Sequence, residues 1–404
     1  MQKYHLLPEH LNYDIEKFIS THLNDNKNTI TLKVKSLVQT NFCANLVLDT
    51  LFNFKKAQYK LPTLALNYCW LPAKSYEQAS SELTAFYKSS KINGQTMLDL
   101  CGGLGVDDIY FAKEFKKVIS LDIDNEVNEI VRYNFNKLKI TNIKRITTLA
   151  EDFLQGNLQT FDLVYIDADR RPETKTKTFK LEECTPNIIE LLPSIKKISS
   201  KLILKLSPLV DISYCKNAIE NLTEIDVVSV KNEVKEVLLL IDFEKKVEHI
   251  KINATNILDF KEKQQFSSTE TTISKVNNVN DFSYFFEPNA SIIKAQLSMQ
   301  YAAHCQLNML AENSNFYVGD KMVENFMGRS FKIIYQSVFS KSNLQQYLKE
   351  TSLKKVNISR RNFPINEAEI AKQFKLKDGG DDYLFFTQNS INEKLFFHCR
   401  KASN

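Results

Sequence analysis

Three glycines in four positions, Gly102, Gly103 and Gly105, stand directly after the apolar stretch Met97-Leu98-Asp99-Leu100-Cys101 and directly before a helix-like segment. One helix length further on, a second apolar run, Val118-Ile119-Ser120-Leu121, ends in Asp122, 23 positions after Asp99. These residue types in this order suit a nucleotide-like ligand. Residues without Cβ let backbone approach the ligand closely, and an acid at the end of the second strand accepts both hydroxyls of a ribose. A dinucleotide fingerprint of the type G-x-G-x-x-G needs glycine at positions one, three and six, and counted from Gly103 the sixth is Asp108. The spacing therefore argues against a nicotinamide cofactor.

Further along, Asp152 in Ala150-Glu151-Asp152-Phe153 follows a third apolar strand, where an acid can accept a hydrogen bond from an adenine amine. We prefer it to Glu151; its bland alternative is an acid in the first turn of a helix, stabilising through the dipole alone. The segment Asp167-Ala168-Asp169-Arg170-Arg171-Pro172 closes a fourth strand, and ligands of open α/β sheets sit beyond the carboxyl ends of the strands. There Asp167 can accept a hydrogen bond, while Arg170 and Arg171 can stack on a base or pair with phosphate. The ordinary alternative is an Asp–Arg pair that fixes the loop. Lys205-Leu206-Ser207-Pro208, at the end of the fifth strand, is placed to line the same side. Covalent attack by a thiolate finds little support, because Cys184, the cysteine nearest the expected mouth, is flanked by Glu182 and Glu183. The seven cysteines include no C-x-x-C pair, and none of the six histidines falls at a predicted pocket edge, so no metal site is expected.

Elements of two kinds must position these residues. Residues 1–92 read as an N-terminal helical region, with a helix expected to start at Ser75, which forms a capping box with Gln78. Residues 93–245 alternate apolar strands, near 97–101, 118–122, 143–147, 162–167, 201–206, 225–231 and 236–242, with amphipathic segments. That rhythm predicts a Rossmann-like α/β domain, a mostly parallel sheet of seven strands covered on both faces. The last two strands are joined by too few residues for a parallel crossover, so the seventh is antiparallel to the sixth. Residues 246–280, rich in Lys, Asn, Ser and Thr without a sustained period, are expected as a linker or hairpin. Beyond them, Asn289 is placed to cap a helix running as far as Leu310, and the remainder mixes strands and helices in an α+β pattern.

Charge is distributed unevenly. Residues 329–404 hold 14 Lys and Arg against 7 Asp and Glu, whereas the remainder holds 39 against 41. A basic C-terminal module suggests a polyanionic partner, with nucleic acid the commonest, against the alternative of a solvated basic surface. No apolar run approaches the roughly 20 residues of a membrane span, and the first residues lack the basic-then-apolar pattern of a secretion signal. A cytoplasmic protein without a membrane partner is expected.

With Asp99 ahead of the glycines, the D-x-x-G-G-x-G arrangement resembles the first motif of class I S-adenosylmethionine (SAM) methyltransferases. The resemblance implies that Asp99 addresses the methionine end of the cofactor, that Asp122 binds its ribose, and that Gly102, Gly103, Gly105, Ile123, Asp152 and Phe153 complete the pocket. Amino-directed nucleic-acid methyltransferases carry a D/N-P-P-aromatic motif after the fourth strand. Here Asp167 keeps the acceptor, but Ala168 replaces the proline and Arg170 stands in place of the aromatic. Several segments together, including Glu77 to Ala85, Asp99 to Asp107, Asp167 to Arg171, Lys205 to Pro208, Glu287-Pro288-Asn289, Arg361 to Pro364 and Gly379-Gly380-Asp381, resemble a bacterial methyltransferase family with a THUMP-like C-terminal domain. That resemblance spans the chain from about residue 60 to its end. It implies a helix carrying Gln78, Ser80, Ser81 and Thr84 near the methionine end, a ferredoxin-like segment over 281–325, and a THUMP-like RNA-binding domain over 326–404, where Arg360 and Arg361 touch phosphate. The expected function is methyl transfer from SAM to a nucleotide of structured RNA, tRNA or rRNA, with Asp167, Arg170 and Arg171 facing the target. Two alternatives stay open: a small-molecule methyltransferase, or a non-catalytic RNA-binding protein that keeps a SAM fold.

Overall fold

The structure, a computed structural model, describes residues 3–36, 43–170, 180–269 and 282–402. Ahead of the glycine turn the chain is helical, as its apolar spacing predicts: α1 (Ile15–His22), α2 (Lys27–Ser36), α3 (Ala44–Lys60), α4 (Pro62–Leu66), α5 (Ala73–Gln78) and α6 (Glu82–Ser89). Their apolar faces meet in one core in which Ile15, Ile19, Leu46, Leu51 and Trp70 pack with Val131 and Phe135. The expected cap is displaced. Ser75 lies inside α5, which begins after Pro72 with no side-chain cap, whereas Ser81 caps α6 by accepting a hydrogen bond from the Thr84 amide at 3.2 Å. Both segments match a helix start, but only Ser81 has the extended backbone that aims its hydroxyl at the next turn.

Strands and helices then alternate: β1 (Gly94–Asp99), α7 (Val106–Glu114), β2 (Phe115–Asp122), α8 (Asn125–Lys137), β3 (Ile143–Thr147), α9 (Ala150–Gly156), β4 (Leu163–Asp167), α10 (Ile188–Ile198), β5 (Lys201–Leu206), α11 (Ile212–Ala218), β6 (Leu222–Val230) and β7 (Glu233–Asp242). Two further strands, β8 (Lys251–Ile257) and β9 (Lys263–Ser268), extend the sheet to nine in the order β9-β8-β6-β7-β5-β4-β1-β2-β3. Strands β3, β2, β1, β4 and β5 pair in parallel, and β7 runs antiparallel to β5. Nine strands thus stand where the apolar rhythm announces seven. β8 is buried along nearly its whole length and so lacks the alternation that marks a strand, while β9 has no buried residue at all. The β6–β7 turn is made by Lys231 and Asn232, both at positive φ, as a two-residue hairpin requires. Strand order reverses between β1 and β4, the position at which open α/β sheets bind ligands.

By internal contacts the chain divides into two units. One comprises Met1–Ile225, Glu236–Glu248 and Asp259–Lys261; the other comprises Asp226–Lys235, His249–Leu258 and Glu262–Asn404. The second unit holds a seven-stranded sheet of β10 (Tyr284–Pro288), β11 (Asn308–Met309), β12 (Tyr317–Gly319), β13 (Gly328–Val338), β14 (Asn357–Arg360), β15 (Asp382–Gln388) and β16 (Lys394–Lys401), ordered β11-β12-β10-β13-β16-β15-β14. Successive residues of a strand face opposite sides. Accordingly Phe386 and Phe396 join one core with Leu344 and Ile370, while Phe385 and Phe397 join another with Phe285 and Phe331. Asn289 caps a helix as expected, but that helix ends at Lys294 and a second spans Ser298–His304, because Gln296 between them adopts φ +59°.

Candidate functional site

The glycine turn is built by close approach. At Gly102 a Cβ would lie 2.1 Å from both the Arg145 guanidinium and the Ser120 hydroxyl, so any side chain there would have to displace both. Gly105 adopts φ +76°, and a Cβ there would meet the Phe135 ring at 2.6 Å. Arg145, buried on β3, holds the underside of the turn. Its guanidinium donates to the Gly103 carbonyl (2.5 Å), the Asp108 carboxylate (3.0 Å), Ser120 Oγ (2.8 Å) and Asn128 (2.6 Å). Asp122 accepts the Gly103 amide at 3.0 Å, which leaves its carboxylate beside the turn with further lone pairs to offer.

Above the turn lies a cavity of about 430 Å³, within the range of small-molecule sites. Its wall includes Gln78, Ser80, Asp99, Gly102, Gly103, Gly105, Asp122, Ile123 and Asp167, so most of the residues singled out from the sequence converge. Ser81 and Thr84 are not among the wall residues: the Thr84 hydroxyl donates to the Ser81 carbonyl at 3.0 Å, and both serve the start of α6. On α9 the wall takes Glu151 rather than Asp152 or Phe153, since each residue along a helix turns about 100° from the last. Exposed Ile123 (66%) and Leu149 (44%), on the loops after β2 and β3, give the cavity two apolar surfaces. Asp169–Arg170 pairs with Cys184–Thr185, and Thr185 and Pro186 also line the wall. The Arg170 side chain and all of Arg171 lie outside the described residues.

Two buried charge clusters underlie this wall, and sequence reasoning missed both. In the first, the Asp99 carboxyl neighbours that of Asp108 and accepts the Cys101 amide at 2.8 Å. Burial, then the neighbouring Asp108 carboxylate, pushes the Asp99 carboxyl well above the ordinary range. Arg145 and Ser120 serve Asp108, so of the two acids Asp99 is the one whose neutral form is the more favoured. In the second, Lys88, fully buried, meets Glu236 (2.9 Å), Asp107 (3.1 Å) and Ser80 (3.0 Å). Burial acts to raise Asp107, but Lys88, Lys205, Ser80 and Tyr165 outweigh it, and the carboxyl is held below its usual value. Burial likewise acts to lower Lys205, yet Asp167, with which it pairs, Glu236 and Asp107 together raise it. Lys205 thus holds the one acid at the cavity mouth on which the sequence reading rests its chemistry.

In the second unit, Arg361 is spent internally. It pairs with Glu287 at 3.0 Å, donates to the Asn315 carbonyl at 2.7 Å and lies over the Phe316 ring, while Arg329 binds the same glutamate. Arg360 donates to the Phe363 carbonyl at 2.8 Å and pairs with Glu367 at 3.4 Å, its side chain about one-third exposed. Arg361 is thus engaged within its unit, while Arg360 keeps part of its guanidinium exposed. Phe363 is core.

Residues 94–294 match the family of RNA cap guanine-N2 methyltransferases, 284–326 a ferredoxin-like domain and 328–401 a THUMP-like domain. The crystal structure of a "putative methyltransferase" from Porphyromonas gingivalis W83 superposes with a TM-score of 0.85 at 26% identity, covering 98% of each chain. TrmK of M. capricolum, solved with S-adenosylhomocysteine (SAH), has 17% identity and a TM-score of 0.33 over 43% of this chain and 72% of its own. An rRNA methylase from Streptococcus thermophilus has 13% identity and a TM-score of 0.30 over 41% of this chain and 95% of its own. No curated protein matches the chain. The chain thus carries a methyltransferase domain of the class I α/β fold, followed by a ferredoxin-like and a THUMP-like domain.

Proposed function

We propose that this protein transfers a methyl group from SAM to a nucleotide of structured RNA in the cytoplasm. The observation that carries the reading is the convergence, at the β1/β4 switch point, of the glycine turn, Asp122 and Asp167 on one cavity. The residues present fit the cofactor. Nothing lies within 4 Å of where a Cβ of Gly103 would stand, which leaves open space at the wall; Asp122 suits the ribose, and Ile123 and Leu149 offer faces for adenine. Bound there, the sulfonium supplies an electrophilic methyl group.

The chain's own work is then chiefly positioning, which can account for a large share of a barrier. Asp167, held by Lys205, is placed to accept a hydrogen bond from the group to be methylated and to fix its lone pair toward the cavity. The match to RNA cap methyltransferases, the THUMP-like domain and the basic C-terminal segment support an RNA substrate. A small-molecule acceptor is the second reading, favoured by the internal pairing of Arg361. Incubation with methyl-tritiated SAM and fractionated cellular RNA separates the two. Counts in an RNA fraction, abolished in Asp122→Ala, are expected; counts confined to small metabolites would refute the RNA assignment.

A further inference from the structure

Among the described residues the cavity wall holds six acids, Asp99, Asp107, Asp122, Asp124, Glu151 and Asp167, and a single cation, Lys74. A wall so acidic suits a ligand that is cationic overall, yet any anionic group on that ligand still needs a counter-charge. Lys74 is the wall residue that can supply one. It lies on α5, and the wall takes the face of that helix which carries Lys74, Ser75 and Gln78, since residues four apart in a helix lie one above the other.

The fold gains nothing from a lysine there. Lys74 is exposed and makes no ion pair or hydrogen bond with another described residue. It stands in the first turn of α5, at the end of a helix where the backbone dipole disfavours a cation. The cations that lie behind the wall are already engaged: Lys88 with Asp107 and Glu236, Lys205 with Asp167, and Arg145 with Asp108.

The sheet fixes where along the cavity this lysine stands. β1 lies between β2 and β4, so Asp122, at the end of β2, and Asp167, at the end of β4, stand on opposite sides of it. The chain just after α5 is tied to the β4 side: Ser80 Oγ donates to Asp107 Oδ2 at 2.8 Å, and Tyr165 Oη, on β4, donates to the same oxygen at 2.9 Å. A nucleoside whose ribose lies on Asp122 therefore extends its 5′ substituent toward α5 and β4. In SAM that substituent is an amino acid, and its carboxylate is the cofactor's one anionic group.

We propose that Lys74 receives the α-carboxylate of the cofactor's methionine moiety, an assignment that rests on the SAM reading above and gives the pocket its preference for an intact amino acid over a decarboxylated one. The ammonium end has acids to meet; the carboxylate has this lysine. The flexible four-carbon stem lets the Lys74 ammonium reach over the wall as the ligand enters.

Calorimetric binding of two ligands to the full chain tests the assignment. SAH carries the α-carboxylate; S-adenosyl-3-thiopropylamine keeps the nucleoside, the sulfur and the ammonium but has no carboxylate. The unsubstituted protein is expected to prefer SAH. Lys74→Met is expected to weaken SAH about 10-fold, the low end for a charged hydrogen bond because the lysine is exposed, and to leave the decarboxylated ligand within about two-fold. Lys74→Arg, which keeps the charge, should hold SAH within a few-fold. Unchanged SAH affinity in Lys74→Met, equal losses of both ligands, or no preference for SAH in the unsubstituted protein would each overturn the assignment. So would a Lys74→Met protein that binds SAH normally but retains less fractionated cellular RNA on a filter, since the anion would then be an RNA phosphate. If the unsubstituted protein binds neither ligand, the SAM reading itself has failed, an outcome distinct from failure of the Lys74 assignment alone.

Discussion

Asp99, Asp107 and Asp108 lie within nine residues of each other, yet burial holds Asp99 and Asp108 above the ordinary carboxyl range while Asp107 is held below it. Asp108 has Arg145, Asp107 has Lys88, and Asp99 has no cation, only the Cys101 amide and the neighbouring Asp108. The signs of their contributions to stability differ accordingly. Folding lowers the Asp107 pKa below its ordinary 3.8, so its stabilisation is complete above that value and is lost as pH falls past it. Asp99 acts in the opposite sense, since its raised pKa favours the folded state at low pH and that contribution fades as pH rises through the folded-state value. We expect denaturant unfolding of Asp107→Asn to show a shallower loss of stability below about pH 4 than the unsubstituted protein. An identical acid slope in both would mean that Asp107 is not held ionised by Lys88. Of these residues the sequence identified Asp99, Asp122 and Asp167 by motif. Asp107 and Lys88 gave no signal, because a lysine in an amphipathic helix reads as solvated surface until its partners, more than a hundred residues away in the case of Glu236, are known.

At the scale of elements, the β-α alternation from Gly94 to Asp242 was legible because each parallel strand is a short apolar run between turns. β8 and β9 form an antiparallel hairpin where the sequence predicts a linker or hairpin, but one is buried along nearly its whole length and the other not at all, so periodicity does not mark them as strands of the sheet. The basic C-terminal segment was read from charge alone, which reports composition and not direction. Arg361, at the end of β14, is turned inward to bind β10 through Glu287 and the loop carbonyl of Asn315, and it lies 4.6 Å above the Phe316 ring. Its loss should therefore act on folding first. Arg361→Ala is expected to destabilise the second unit by about 3 kcal/mol, because Glu287, 6% exposed, is left with Arg329 alone. A variant with unchanged unfolding midpoint and weakened RNA binding would restore the phosphate role and contradict the structural one.

Considered as a whole, the chain carries a cavity at the switch point of an α/β sheet and, over residues 329–404, a C-terminal segment whose positive charge exceeds its negative two to one. Asp99 to Gly105 marked the pocket, yet its electrostatics belong to residues drawn from α6, α7, β3, β5 and β7. Calorimetric titration of the intact protein with SAM tests the account most directly. One SAM per chain, with affinity lost in Asp122→Ala while the unfolding midpoint is kept, is the predicted result; a protein that folds normally and takes up no SAM would contradict it.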